Sequence, residues 1–189
     1  EAGRVVFGII LGTGCGGGLV VNRQLIVGPN AITGEWGHNP LPGYDPALDG
    51  PSQPCYCGRD NCIERFVSGT GFAGRFVERH GRGLSPIGII TAAAEGDVEA
   101  EAPYDHFIQA LARSVASLIN VLDPDVIVLG GGLSNIDRLY LDLPQALTPY
   151  LFSDRCITPM VPARYGDSSG VRGAAWLPSC VEGATTWAI

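Results

Sequence analysis

The chain has 189 residues, 46% hydrophobic and 16% charged, the make-up of a globular protein able to bury a core as one large domain or two small ones. Nineteen acidic residues against twelve basic leave a net charge of −7, which argues against nucleic acid or anionic membrane as a partner. No apolar run reaches transmembrane length, no signal-type leader opens the chain, and Cys15, Cys156 and Cys180 lack disulfide-framework spacing, so a reduced cytoplasmic compartment fits best.

Residues 4–11 (RVVFGIIL) form an apolar, β-branched run that reads as a buried strand. Gly12-Thr13-Gly14-Cys15-Gly16-Gly17-Gly18 follows, and residues 19–21 resume strand character. Glycines at this density admit positive φ and let backbone N–H groups approach a ligand closely. They serve either as a phosphate cradle, with Thr13 adding a hydroxyl, or as a tight hairpin between two strands. Cys15 is assigned no chemistry. Asn22-Arg23 makes a turn, residues 24–27 a short strand, and Gly28-Pro29-Asn30 a loop.

Residues 34–72 contain three of the six cysteines. Cys55 and Cys57 stand one residue apart, with Cys62 after Gly58-Arg59-Asp60-Asn61. Three thiolates on a tight turn need one more ligand to close a tetrahedral zinc site, and His38 is the nearest upstream imidazole. A disulfide with a leftover thiol fits less well, because C-x-C neighbours bridge only with strain. Four protein ligands leave no open position, so such a zinc is structural. Glu35 and His38 share a glycine-broken loop, and a carboxylate with an imidazole suits the bridging of sugar hydroxyls. One ring nitrogen of His38 can hold zinc while the other bonds a hydroxyl. Residues 39–54 are proline-rich and aperiodic, a surface loop. Asn61 is expected to cap a helix opening at Cys62 that buries Ile63, Phe66 and Val67. Residues 68–71 break it, and residues 72–80 form a second amphipathic piece.

Residues 87–96 read as a short helix and 97–103 as an acidic connector. From Tyr104, apolar residues at Phe107, Leu111, Val115, Leu118, Ile119 and Leu122 mark the strongest helix. Asp123-Pro124 stops it, and residues 125–129 (DVIVL) read as a buried parallel strand. Gly130-Gly131-Gly132 follows at the strand's C-terminal end, where open α/β sheets bind ligands, or else forms a turn that requires small residues. The spacing is neither Rossmann nor Walker. Residues 140–152 read as helix despite Pro144, 157–161 as an edge strand, and 166–175 as loop, cap and small-residue helix.

The segments GEWGHNPLP, CYCGRDNCIE and SGTGF together resemble the signature of the ROK family (repressor, open reading frame, kinase), nearest to its bacterial fructokinases and mannokinases. The resemblance spans residues 3–177. It implies that residues 1–178 form the C-terminal lobe of an α/β, actin-like ATPase or hexokinase-like (RNase H-like) fold, with the zinc module at about 34–72 inside it and a tail at 179–189. An N-terminal lobe, carrying a D-x-G-G-T loop and the general-base aspartate, is missing from this sequence, so no catalytic residue is expected in it and the chain alone is expected to be inactive. It further implies that Glu35, His38 and Glu64 bind the sugar, that Gly12, Thr13, Gly14 and Gly16 meet the phosphates of ATP, and that Gly130, Gly131 and Gly132 pack its adenosine. Gly170 and Arg172 are further candidates near the nucleotide. The implied reaction is ATP-dependent phosphorylation of a hexose, with Mg2+ arriving on ATP. Fructose is the first choice on account of Trp36 and the NPLP run; N-acetylglucosamine kinase and a non-catalytic sugar-sensing regulator are the alternatives. A homodimer is implied as well.

Overall fold

Alternation of buried and half-buried residues along Val5–Leu11 makes the first strand, β1, whose Phe7, Ile9 and Leu11 face the core. It turns into the antiparallel β2 (Cys15–Val21), with Leu11 opposite Cys15, and β3 (Gln24–Leu25) pairs on β2's far side. On the other side of β1 lie β4 (Val126–Gly130) and then β5 (Met160–Pro162), both parallel, giving the order β3-β2-β1-β4-β5. The structure, a computed structural model, describes residues 4–181, with side chains for 4–175. Cys180 and the greater part of the expected tail lie outside the described side chains and residues.

The helices are α1 (Pro46–Asp49), α2 (Glu64–Val67), α3 (Gly69–His80), α4 (Pro86–Ala94), α5 (Val98–Leu122), α6 (Asp137–Leu147) and α7 (Ser169–Val181). The expected tail therefore begins inside α7. Among the described residues no helix is long and apolar enough to cross a membrane. The 25-residue α5 is the spine. Its Phe107, Leu111 and Val115 share one core with Phe7 and Ile9 of β1 and Ile127 and Leu129 of β4, and Phe72 of α3 stacks on Phe107 at 4.8 Å.

Three expectations shift in register or kind. The acidic stretch 97–103 is the start of α5: Asp97 caps it by accepting from the Glu99 amide at 2.9 Å, and acidic side chains in a first turn complement the helix dipole. Asn61 caps no helix. It stands at φ +57°, with its side-chain oxygen accepting from the Gln53 amide at 2.8 Å, and the helix opens only at Glu64. The chain does break at Ser68, the extended residue that ends α2, but the next helix opens at Gly69, three residues before the expected start. Ser68 caps α3 through the Gly71 amide at 3.0 Å, and a Cβ on Gly69 would stand 3.0 Å from the Gly12 carbonyl oxygen.

The loop at 39–54 contains α1 and is anchored. Asp49, 3% exposed, takes a two-pronged ion pair from Arg113 of α5 at 2.5 and 3.2 Å. Arg113 also donates to the Gly43 carbonyl at 2.9 Å, and Arg75 donates to the Asp49 carbonyl.

Candidate metal and sugar site

The segment 53–62 folds back on itself as a knuckle. The Cys55 amide donates to the Arg59 carbonyl at 2.8 Å and the Gly58 amide to the Cys55 carbonyl at 3.0 Å, a turn that needs Gly58 at φ +84°. The C-terminal end of the segment pairs with 39–41: the Leu41 amide donates to the Asn61 carbonyl at 2.7 Å and the Ile63 amide to the Asn39 carbonyl at 2.9 Å. This pairing sets His38 beside the cysteines. One ligand atom each from His38, Cys55, Cys57 and Cys62 lies within 4.8 Å of all the others. His38 Nδ1 stands 3.6 Å from Cys55 Sγ, and Cys57 Sγ 3.5 Å from Cys62 Sγ. Three soft sulfurs and an imidazole nitrogen at this separation fit a tetrahedral zinc and leave no open position. Hydrogen bonds from the Arg59 backbone and guanidinium pull the Cys57 thiol down to about 6, whereas burial and the neighbouring sulfurs push Cys62 up to about 12. By contrast Cys15, 5% exposed, is raised far above the usual thiol range by burial, so it is an inert core residue.

The loop carrying Glu35 and His38 lies flat on β2. A Cβ on Gly37 would fall onto the Cys15 carbonyl oxygen, and one on Gly34 onto the Gly17 carbonyl. Trp36, 4% exposed, donates its indole N–H to the Gly16 carbonyl at 2.9 Å. Trp36 is thus committed to packing and carries no information about substrate. Gly16, Gly17 and Gly18 are strand residues paired with Ile10, Ile9 and Gly8, and none of the five glycines from 12 to 18 has positive φ. At Gly17 the fold uses small size, since a Cβ there would meet the Phe7 ring at 2.9 Å, whereas one on Gly16 or Gly18 would meet nothing within 4 Å.

Glu64, the first residue of α2, reaches the hairpin turn. Its Oε2 accepts the Cys15 amide at 2.8 Å, and a Cβ on Gly14 would stand 2.7 Å from the same oxygen. The Gly69 amide donates to the Gly12 carbonyl at 2.7 Å. The turn 12–14 is therefore strapped to α2 and α3, and the Gly12 amide, expected to meet phosphate, already donates to the Gly14 carbonyl at 3.0 Å. Gly131, at φ +82°, presses on the same turn: a Cβ there would lie 2.6 Å from the Leu11 carbonyl oxygen and 3.0 Å from the Gly12 nitrogen. Because β1 and β4 are parallel neighbours, the two glycine segments, 12–14 and 130–132, meet at one sheet edge. Arg172 lies with its guanidinium 4.3 Å over the Tyr165 ring, and Gly170 is in the exposed first turn of α7; neither is brought to the metal cluster.

One residue at the site was not foreseen. Tyr56, between two ligand cysteines, accepts or donates a 2.8 Å hydrogen bond with His38 Nε2. Its hydroxyl is held above the ordinary phenol range chiefly by the Glu64 carboxylate, with Glu35 contributing. Sequence carried one signal for it: any residue in a C-x-C slot is fixed next to the metal.

Residues 2–180 match the ROK family. The chain belongs to the ROK family. A ROK-type relative, the N-acetyl-D-glucosamine kinase of Yersinia pseudotuberculosis, is 43% identical over 175 residues, covering 91% of this chain and 58% of its own length. Among solved structures, a ROK hexokinase from Thermus thermophilus superposes with TM-score 0.79 at 26% identity, over 95% of this chain and 59% of that one. A ROK glucokinase from Streptomyces griseus, solved with glucose and AMPPNP, gives TM-score 0.79 at 24% identity, over 94% and 61%. The fold is the actin-like, hexokinase-like one of ROK proteins. This chain spans somewhat over half the length of the relatives it matches.

Proposed function

We propose that this ROK chain is the hexose- and nucleotide-binding lobe of a cytoplasmic, ATP-dependent sugar kinase whose substrate is N-acetylglucosamine. What supports the reading most is Glu64: it follows Ile63, whose amide binds the carbonyl of Asn39 next to His38, and its carboxylate is bonded at the glycine hairpin. The choice of sugar follows the relative named as an N-acetyl-D-glucosamine kinase. Fructose, the first choice from sequence, loses its main support once Trp36 is a buried packing residue.

In this reading His38, Cys55, Cys57 and Cys62 hold a structural zinc. When bound, zinc supplies no reaction step, only a fixed orientation for the His38 ring. Glu35, His38 Nε2 and the free oxygen of Glu64 hold hexose hydroxyls so that the 6-hydroxyl is in line with the γ-phosphoryl of ATP, where positioning provides most of the rate. The Thr13 and Gly14 amides and the hydroxyl of Thr13 face the phosphates, Gly130 to Gly132 pack the adenosine, and Mg2+ enters on ATP. The proton of the attacking hydroxyl goes to an aspartate of an N-terminal lobe, which closes over the sugar and excludes water. Assembly as a homodimer belongs to the same reading.

The test is ADP release over N-acetylglucosamine, glucose, fructose and mannose, comparing this chain with the chain joined to an N-terminal lobe. Turnover only in the joined protein, highest on N-acetylglucosamine, is expected. Highest turnover on fructose would restore the first choice, and silence on every sugar with sugar still bound would point to a sugar-sensing regulator.

A further inference from the structure

Tyr56 occupies the one atom of His38 that the metal cluster leaves free. Nδ1 faces the cysteine sulfurs, 3.6 Å from Cys55 Sγ. A metal there takes the Nδ1 lone pair, which leaves the ring proton on Nε2. Nε2–H then donates to the Tyr56 oxygen at 2.8 Å, so the phenol oxygen is an acceptor, as the oxygen of a sugar hydroxyl would be.

Nothing else holds the side chain there. Tyr56 is 82% exposed, its ring meets the His38 ring edge-on at 5.0 Å, and among the described residues His38 is its one hydrogen-bond partner. Its backbone, by contrast, is pinned between Cys55 and Cys57. The phenol can leave Nε2 by side-chain rotation at almost no packing cost, and it can swing only to the rim of the same site.

We propose that Tyr56 is a specificity-determining residue of the hexose site, whose phenol oxygen holds, in the sugar-free protein, the acceptor position on His38 Nε2–H that a hexose hydroxyl takes on binding. Binding is then an exchange of one hydroxyl for another. A sugar lacking that hydroxyl has nothing to offer Nε2 and leaves the phenol in place. The proposal rests on the reading of His38 as a hexose ligand.

The experiment is calorimetric titration of N-acetylglucosamine, glucose and fructose into the protein with its N-terminal lobe, as wild type and as Tyr56→Phe, with zinc measured in both. Removing the phenol oxygen frees Nε2–H while keeping the ring. Since a net hydrogen bond is worth about 0.5–1.5 kcal/mol, hexose affinity should rise roughly two- to tenfold, with zinc unchanged. Unchanged or weaker affinity in the Phe variant, beside a wild type that binds sugar, overturns the exchange and leaves the kinase reading standing. Loss of zinc in the Phe variant also overturns it, by making Tyr56 a support of the metal site. A wild type that binds no sugar sinks the kinase reading, and this proposal with it.

Discussion

In the proposed kinase reading, Glu64 divides its carboxylate between two tasks. Oε2 is engaged by the Cys15 amide, and the other oxygen retains acceptor capacity for a sugar hydroxyl. Replacing Glu64 by Gln keeps an oxygen for the Cys15 amide, so the hairpin stays strapped, but removes the charge that strengthens a hydroxyl contact. Hexose affinity should fall about tenfold, the gap between charged and neutral hydrogen bonds, while elemental analysis finds zinc unaltered. An unchanged affinity would take Glu64 out of the sugar site. At this scale the ligands were legible and the links between them were not. The clustering of Cys55, Cys57, Cys62 and His38 could be read from sequence because ligand number and spacing constrain a candidate metal site tightly. The Cys15–Glu64 bond joins residues 49 apart, and no local pattern announces such a contact. Tyr56 stood in plain view, yet only distances show which atom its hydroxyl meets.

Among the elements, the strap at 39–54 shows how a stretch without periodicity can still be fixed. Its proline content hid a buried acid, Asp49, whose partner Arg113 lies on α5, 64 positions away. Both side chains are nearly buried, at 4% and 10% exposure, so truncating one leaves the other charge unpaired in the interior. Asp49→Ala should lower stability by about 3–5 kcal/mol, read as an earlier urea midpoint with unchanged slope. A loss below about 0.5 kcal/mol, the level of an ordinary surface change, would mean that the strap is not anchored there. The strong helix of residues 104–122 and the strands at 4–11 and 125–129 were readable because each buries a regular face. Helix starts were not, since Asp97, Ser68 and Asn61 are all capping types and only backbone geometry separates the two that cap from the one that does not.

Across the whole molecule, glycines bring together three segments that the sequence presented apart. Gly34 and Gly37 let the Glu35–His38 loop press on β2, Gly17 makes room for the Phe7 ring of β1, and Gly131 brings the end of β4 against the turn at Gly12. The cysteine knuckle fixes the far side of that loop through His38. Metal module, sugar loop and glycine turn thus form one packed unit, and the central claim is that the metal's role is to hold Glu35, His38 and Glu64 in register for a hexose. The most direct measurement is hexose affinity of the metal-loaded protein against the same protein after chelation, with bound zinc counted in each. One zinc per chain, and hexose binding lost on chelation and restored by zinc, is the predicted result. Equal hexose affinity with and without the metal would contradict it.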